Sequence, residues 1–143
     1  MSAGTKFLLD TNVLSETRKR TIDDGVARFF AQVDESSLFM SVLTLGEMRK
    51  GVALKRKSDP ILALLIAPWV DGLEFAYADR ILGIDASIAT IWGELSSQRP
   101  RPVIDTLIAA TAMVHDLTLV TRNTEDIEDI DVRQLNPWTH RTK

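Results

Sequence analysis

The chain has 143 residues, 45% of them hydrophobic and 26% charged, the balance of one folded domain and not of a disordered chain. It holds no cysteine, which excludes a disulfide framework, a thiolate zinc site and a cysteine nucleophile. A formal net charge of -3 and a pI near 5.4 argue against a module that binds nucleic acid by broad attraction, yet not against an enzyme that gathers carboxylates around a divalent cation.

The first apolar run, Phe7-Leu8-Leu9, stops at Asp10 and does not read as a signal peptide. The longest apolar stretch, 61–70, contains Pro68 and falls well short of the roughly 20 residues that span a bilayer. The expectation is a cytoplasmic protein without a membrane partner, which the lack of cysteine also fits.

In chain order, 6–10 reads as a short buried strand. Residues 13–19 and 24–33 read as helices, the second with Val26, Phe29, Phe30 and Val33 on one stripe. A strand at 37–41 follows, then a helix at 42–57 with Leu45, Met48 and Val52 at helical spacing. Asp59-Pro60 reads as a cap and first-position proline opening an apolar helix towards Val70. A third strand at 81–85 and a helix at 86–97 come next, then a helix from Pro102 to about His115. Strands at 117–121 and 132–135 close the pattern. Without repeats or a linker, this predicts a single domain over 1–143, of α/β class, a three-layer sandwich with a mostly parallel central sheet. Ligands in such sheets sit beyond the carboxyl ends of the strands, where Asp10 and the Thr121-Arg122-Asn123 segment fall.

Four acids are candidates for the chemistry, and each has a structural rival reading. Asp10 ends the first strand and equally suits the cap of the next helix. Glu47 lies within a helix, where glutamates ordinarily face solvent. Asp105 is the most informative, as the only charge between Pro102 and Val114. A helix that apolar is normally buried, and an unpaired buried carboxylate needs a cation, hydrogen bonds or water. Its rival role is to complement the helix dipole in the first turn. The small residues Ala109 and Ala112 are expected to leave room there for metal and substrate. Asp126 stands in an acid-rich segment with Glu125, Glu128, Asp129 and Asp131, which by itself does not single out one ligand, and the segment also suits a capped helix start.

Leu8-Leu9-Asp10-Thr11-Asn12, then Glu47, then Ile104-Asp105-Thr106-Leu107-Ile108-Ala109-Ala110-Thr111-Ala112, then Leu119-Val120-Thr121-Arg122-Asn123 with Asp126 resemble, in order, the motifs of PIN-domain ribonucleases. The resemblance covers essentially the whole chain and is strongest to the VapC and FitB-like toxins of bacterial toxin–antitoxin pairs. It implies an acidic pocket in which Asp10, Glu47, Asp105 and Asp126 hold Mg²⁺ or Mn²⁺, supported by Thr11, Asn12, Thr121 and Asn123. Such a metal activates water for in-line attack on RNA, and the resemblance implies products with a 5′-phosphate and a 3′-hydroxyl. Clustered carboxylates repel one another, so at least one is expected to have a raised pKa.

The resemblance also implies a homodimer held inactive by a VapB- or FitA-like antitoxin, whose tail blocks the acidic pocket and whose other half binds operator DNA. The apolar helix around 61–70, with Trp69, is a candidate groove or dimer surface, or simply core. Arg49 and Lys50, beside Glu47, are the preferred RNA contacts among the basic residues, ahead of Arg18-Lys19-Arg20, Lys55-Arg56-Lys57, Arg99 and Arg101.

Two rival classes are weaker. A haloacid-dehalogenase-type phosphatase wants a second Asp where Asn12 stands, and a phosphorylated receiver domain with Asp85 as acceptor wants a lysine where Arg122 stands. A non-catalytic module whose acidic pocket binds a basic partner tail is the alternative that sequence leaves open.

Overall fold

The computed structural model describes residues 4–140. Its strands are short apolar runs: β1 (Phe7–Leu9), β2 (Leu38–Ser41), β3 (Ile81–Leu82), β4 (Thr118–Val120) and β5 (Gln134–Leu135). The helices are α1 (Thr11–Glu16), α2 (Asp24–Gln32), α3 (Val42–Ser58), α4 (Pro60–Ala76), α5 (Ala86–Gln98) and α6 (Val103–His115), with 3₁₀ turns at Glu35–Ser37, Glu125–Ile127 and Pro137–His140.

All pairings are parallel, in the order β3-β2-β1-β4-β5. β1 is central because its three apolar residues are buried on both faces, as a strand covered by helices on either side must be. The two-residue period then divides the core. Phe7, Leu9 and Val120 join Val13, Leu14, Phe29, Met48, Val52 and Val70 from α1 to α4 on one face. Leu8 and Leu119, paired in register, join Ile88, Leu95, Ile108 and Ala112 from α5 and α6 on the other. The three-layer sandwich expected from the sequence is the architecture found.

Element ends differ from the sequence expectation for local reasons. α1 begins at Thr11, because the Asp10 side chain caps it, and ends at Glu16. The strand expected at 81–85 shortens to two residues, since Asp85 turns out to cap α5 through the Ile88 N–H at 3.0 Å. α4 continues past Pro68 to Ala76. The carbonyl that proline leaves without a donor is that of Leu64, a residue 75% exposed, so water can take the missing bond while Trp69, Val70 and Leu73 keep the inner face packed. Its outer face, with Ile61, Leu64 and Leu65, stays exposed, so the 61–70 segment is core on one side and free surface on the other. Among the described residues no helix is long and apolar enough to cross a membrane.

Candidate active site

The parallel sheet delivers the candidate acids to one edge. Asp10 follows β1, and Thr121 follows the neighbouring β4. α3 leaves the carboxyl end of β2, capped by Ser41, and carries Glu47 one turn in. α6 runs back towards the start of β4, which puts its first turn, with Asp105, at the same edge. Asp126 sits in the turn after β4.

Asp10 is nearly buried, at 8% exposed, and both its oxygens are engaged. Oδ1 accepts the Thr11 N–H at 2.8 Å; Oδ2 accepts the Thr121 hydroxyl at 2.8 Å and the Asn12 amide at 3.5 Å. Thr121 Oγ1 accepts the Asn123 N–H at 3.1 Å, and Asn12 Oδ1 accepts the Arg122 N–H at 3.2 Å, so the two strand ends are tied together. Glu47, an exposed side chain, accepts the Thr11 hydroxyl on Oε1 at 2.6 Å. The structure thus brings together Asp10, Thr11, Asn12, Glu47 and Thr121, while Asn123 contributes its backbone N–H.

Asp105 connects the acids electrostatically. Burial, most of all, pushes its carboxyl above the ordinary range, and the negative charges of Asp10, Glu47 and Asp126 push it further the same way. Three separate segments thus bring negative charge near one half-buried carboxyl. Among the described residues no group of three or more histidine, cysteine, aspartate or glutamate side chains is arranged to hold a metal ion. An open set, with Asp10 held by protein donors and Glu47 and Asp126 exposed, suits a hard cation that keeps several waters, as Mg²⁺ does, better than one that demands complete protein ligation. The donors present are oxygens alone, the ligand type that Mg²⁺ and Mn²⁺ prefer.

Several neighbours differ from expectation. Ala109 and Ala112 are fully buried against the sheet, so their small size serves the packing of α6 rather than an opening for substrate. Arg49 turns from the acids to bind Asp71 at 2.6 Å and Glu74 at 2.7 Å on α4, stapling α3 to α4. Lys50, its neighbour, is exposed. Arg99 and Arg101 both grip Asp129, and Arg99 also donates to the Asp126 carbonyl at 3.1 Å. This clamp holds the turn that carries Asp126. No periodicity marks it, because its members are some 28 and 30 residues apart. Beside Glu47 and Thr11 opens a groove of about 180 Å³ lined by Met48, Ile66, Trp69 and Val70, with Arg18 and Lys55 at its rim.

The chain matches the PIN domain over residues 7–132. It is 33% identical to the toxin FitB of Neisseria gonorrhoeae, over 92% of this chain and 98% of that protein. It is 30% identical to a VapC ribonuclease, Y4jK, of Sinorhizobium fredii, over 92% of this chain and 97% of that one. A solved structure of FitAB bound to an IR36 DNA fragment superimposes with a TM-score of 0.73 at 29% identity, covering 96% of this chain and 98% of that chain. A match across nearly all strands and helices, with the acids in order at the carboxyl edge of the sheet, places this chain in the PIN domain family.

Proposed function

We propose that the chain is a divalent-metal-dependent endoribonuclease acting as the toxin of a bacterial toxin–antitoxin pair. The observation that carries the reading is the tie between strand ends at the carboxyl edge of the sheet, where the nearly buried Asp10 carboxylate is held by Thr121 and Thr11. There the Thr11 hydroxyl also holds Glu47, and the half-buried Asp105 carboxyl is raised by burial and by its acidic neighbours. The similarity to a VapC ribonuclease and to the toxin FitB supports the RNA substrate and the toxin role.

In this reading Asp10, Glu47, Asp105 and Asp126 hold the metal, Mg²⁺ or Mn²⁺. When bound, the cation supplies Lewis-acid polarisation of the phosphate and lowers the pKa of a water molecule. The chain supplies the positioning. Thr121 and the Thr11 N–H fix both oxygens of Asp10, so that carboxylate reaches the pocket in one orientation. The Thr11 hydroxyl holds Glu47 from across the pocket mouth, and the Arg99–Arg101–Asp129 clamp holds the turn of Asp126.

The similarity to FitB of the DNA-bound FitAB assembly supports an antitoxin partner here, which would carry the contact to operator DNA. The apolar groove along α3 and α4, opening beside Glu47, fits a partner segment that continues into the acidic pocket and blocks it. Homodimer formation through the exposed apolar face of α4 belongs to the same proposal.

The test is incubation of the purified chain with mixed tRNA, rRNA and mRNA, with Mg²⁺, with Mn²⁺ and with EDTA, alongside Asp105→Asn. Discrete metal-dependent cuts that vanish in the variant are the expected result. Folded, partner-free protein that binds a basic peptide but cuts nothing would move the chain to the non-catalytic class.

A further inference from the structure

An acidic protein that cuts RNA needs a place to hold it, and the structure ties up several of the arginines that lie near the acids in sequence. Arg49 is tied to Asp71 and Glu74, Arg99 and Arg101 to Asp129, and Arg133 to Asp116. Arg122 stands apart from these by its place, next to the Thr121 that holds Asp10 and over an aromatic ring. Among the described residues no carboxylate pairs with it, and its guanidinium lies over the Trp138 ring at 4.8 Å. Its own N–H is bonded to Asn12, and the preceding residue, Thr121, holds Asp10, so it stands at the rim of the acidic pocket.

Arg122 and Trp138 line an open hollow of about 380 Å³ together with Glu16, Lys19, Asp23 and Asp24. Trp138 packs on the core beneath, which keeps its ring in place and leaves the flat guanidinium as a stacking surface. The start of α2, which carries Asp24, is fixed against the turn that carries Trp138. A side chain at Gly25, the second residue of α2, would overlap the Pro137 carbonyl oxygen, so α2 and the turn bearing Trp138 touch backbone to backbone. α1 runs from Thr11 at the acidic pocket to Glu16 at this cavity, about 8 Å along its axis, or roughly two stacked-nucleotide steps.

The charge of the walls selects the ligand. Glu16, Asp23 and Asp24 face only Lys19 and Arg122, a poor setting for a phosphate and a good one for the N–H edge of a base. Glu16 already bonds Lys19 and the Asp23 N–H, and Asp23 caps α2 through the Gly25 and Val26 N–H groups. Asp24 is exposed and among the described residues has no partner, which leaves it to read the base. A carboxylate pairs best with two N–H donors side by side, and guanine alone of the RNA bases offers them on one edge. We propose that this cavity is a nucleobase subsite that stacks a guanine of the RNA strand on Arg122 and reads its edge with Asp24, close to the scissile phosphate. The proposal rests on the ribonuclease reading above.

The test uses the full chain with Mn²⁺ and a set of uridine oligomers carrying one guanosine moved stepwise along the strand. Cleavage is followed with the wild-type chain, and binding by fluorescence anisotropy with the Asp105→Asn chain. Guanosine at one fixed offset from the cut is expected to raise both kcat/KM and affinity by about tenfold, the scale of one stacked base. Arg122→Ala, at an exposed position, abolishes that gain, and Asp24→Asn abolishes the preference for guanosine over adenosine at the same offset. Cleavage with no effect of guanosine position overturns the subsite alone. So does a gain that survives both substitutions, or an Arg122→Ala loss equal for every oligomer, which would mean a phosphate contact. Neither cutting nor binding of any RNA by the wild-type chain overturns the ribonuclease reading together with the subsite.

Discussion

The Thr121 hydroxyl, 1% exposed, donates to Oδ2 of Asp10 at 2.8 Å across 111 residues of sequence. Both residues terminate neighbouring parallel strands, so the bond follows from the register that sets Leu9 beside Val120. Thr121→Val keeps the shape and removes the donor, leaving a nearly buried carboxylate less satisfied. The expected result is a loss of about 1–3 kcal/mol in denaturant unfolding. Mn²⁺ affinity, by calorimetry, should fall about tenfold, since the support of a ligating carboxylate is lost with its donor.

Asp105 gives a pH dependence whose sign can be worked out. Burial and the three neighbouring acids raise its folded pKa above the unfolded value of about 3.9. Its ionisation therefore costs stability: the cost is absent below the unfolded value, grows as pH rises, and is complete above the folded value. Metal-free protein should thus gain stability from Asp105→Asn at pH 7, seen as a melting temperature equal to or a few degrees above wild type. Added Mg²⁺ should raise the wild-type melting temperature and leave that of the variant unmoved. A variant that melts well below wild type in EDTA would show that Asp105 is there for the fold.

The clamp on the Asp126 turn predicts the opposite kind of effect. The Arg101 side chain is 1% exposed, with Nε on the Leu95 carbonyl at 2.8 Å and both terminal nitrogens on Asp129. Arg101→Ala should cost about 2 kcal/mol of stability, because it strands a buried carbonyl and frees the turn. The two arginines hold Asp129 far below the ordinary carboxylate range, Arg99 most and then Arg101. For a depressed carboxyl the stabilisation is full above the unfolded pKa and is lost only as pH falls through the folded one. Mild acid at pH 4–5 should therefore leave the clamp intact, while Asp129→Asn loosens it at every pH. Hydrogen exchange of the Ile127 and Ile130 amides would report the loosening.

Gly25 tests the backbone contact between α2 and the Pro137–His140 turn. Gly25→Ala must push the Pro137 carbonyl away, because the obstacle is backbone rather than a flexible side chain. A cost of about 1–3 kcal/mol is expected, in the range of overpacked sites. Gly46→Ala is the control, since a Cβ there meets open space, and in a helix interior it should stabilise by roughly 0.5–1 kcal/mol. Both are read from urea melts.

Sequence alone determined the layers and drew attention to Asp10 and Asp105, while Glu47 and Asp126 were marked by the family resemblance. A short apolar run that ends at a polar residue, such as Phe7-Leu8-Leu9 before Asp10, reads as a strand buried on both faces, and helical spacing such as Leu45, Met48 and Val52 reads as a helix packed on the sheet. Asp105 stood out because a single charge in an apolar helix has to be satisfied by something. Local chemistry of this kind is written in neighbouring residues. Tertiary structure decided which cations were free. Arg49, Arg99 and Arg101 lie close to the acids in sequence, yet their partners Asp71, Glu74 and Asp129 lie on other elements, so no reading of nearby residues could show them already paired. The same holds for Arg122 on Trp138, 16 residues on, whose ring is brought over by β5 and the turn after it. An ion pair or a stacked ring depends on where two chain segments meet in space, and only packing around the sheet sets that.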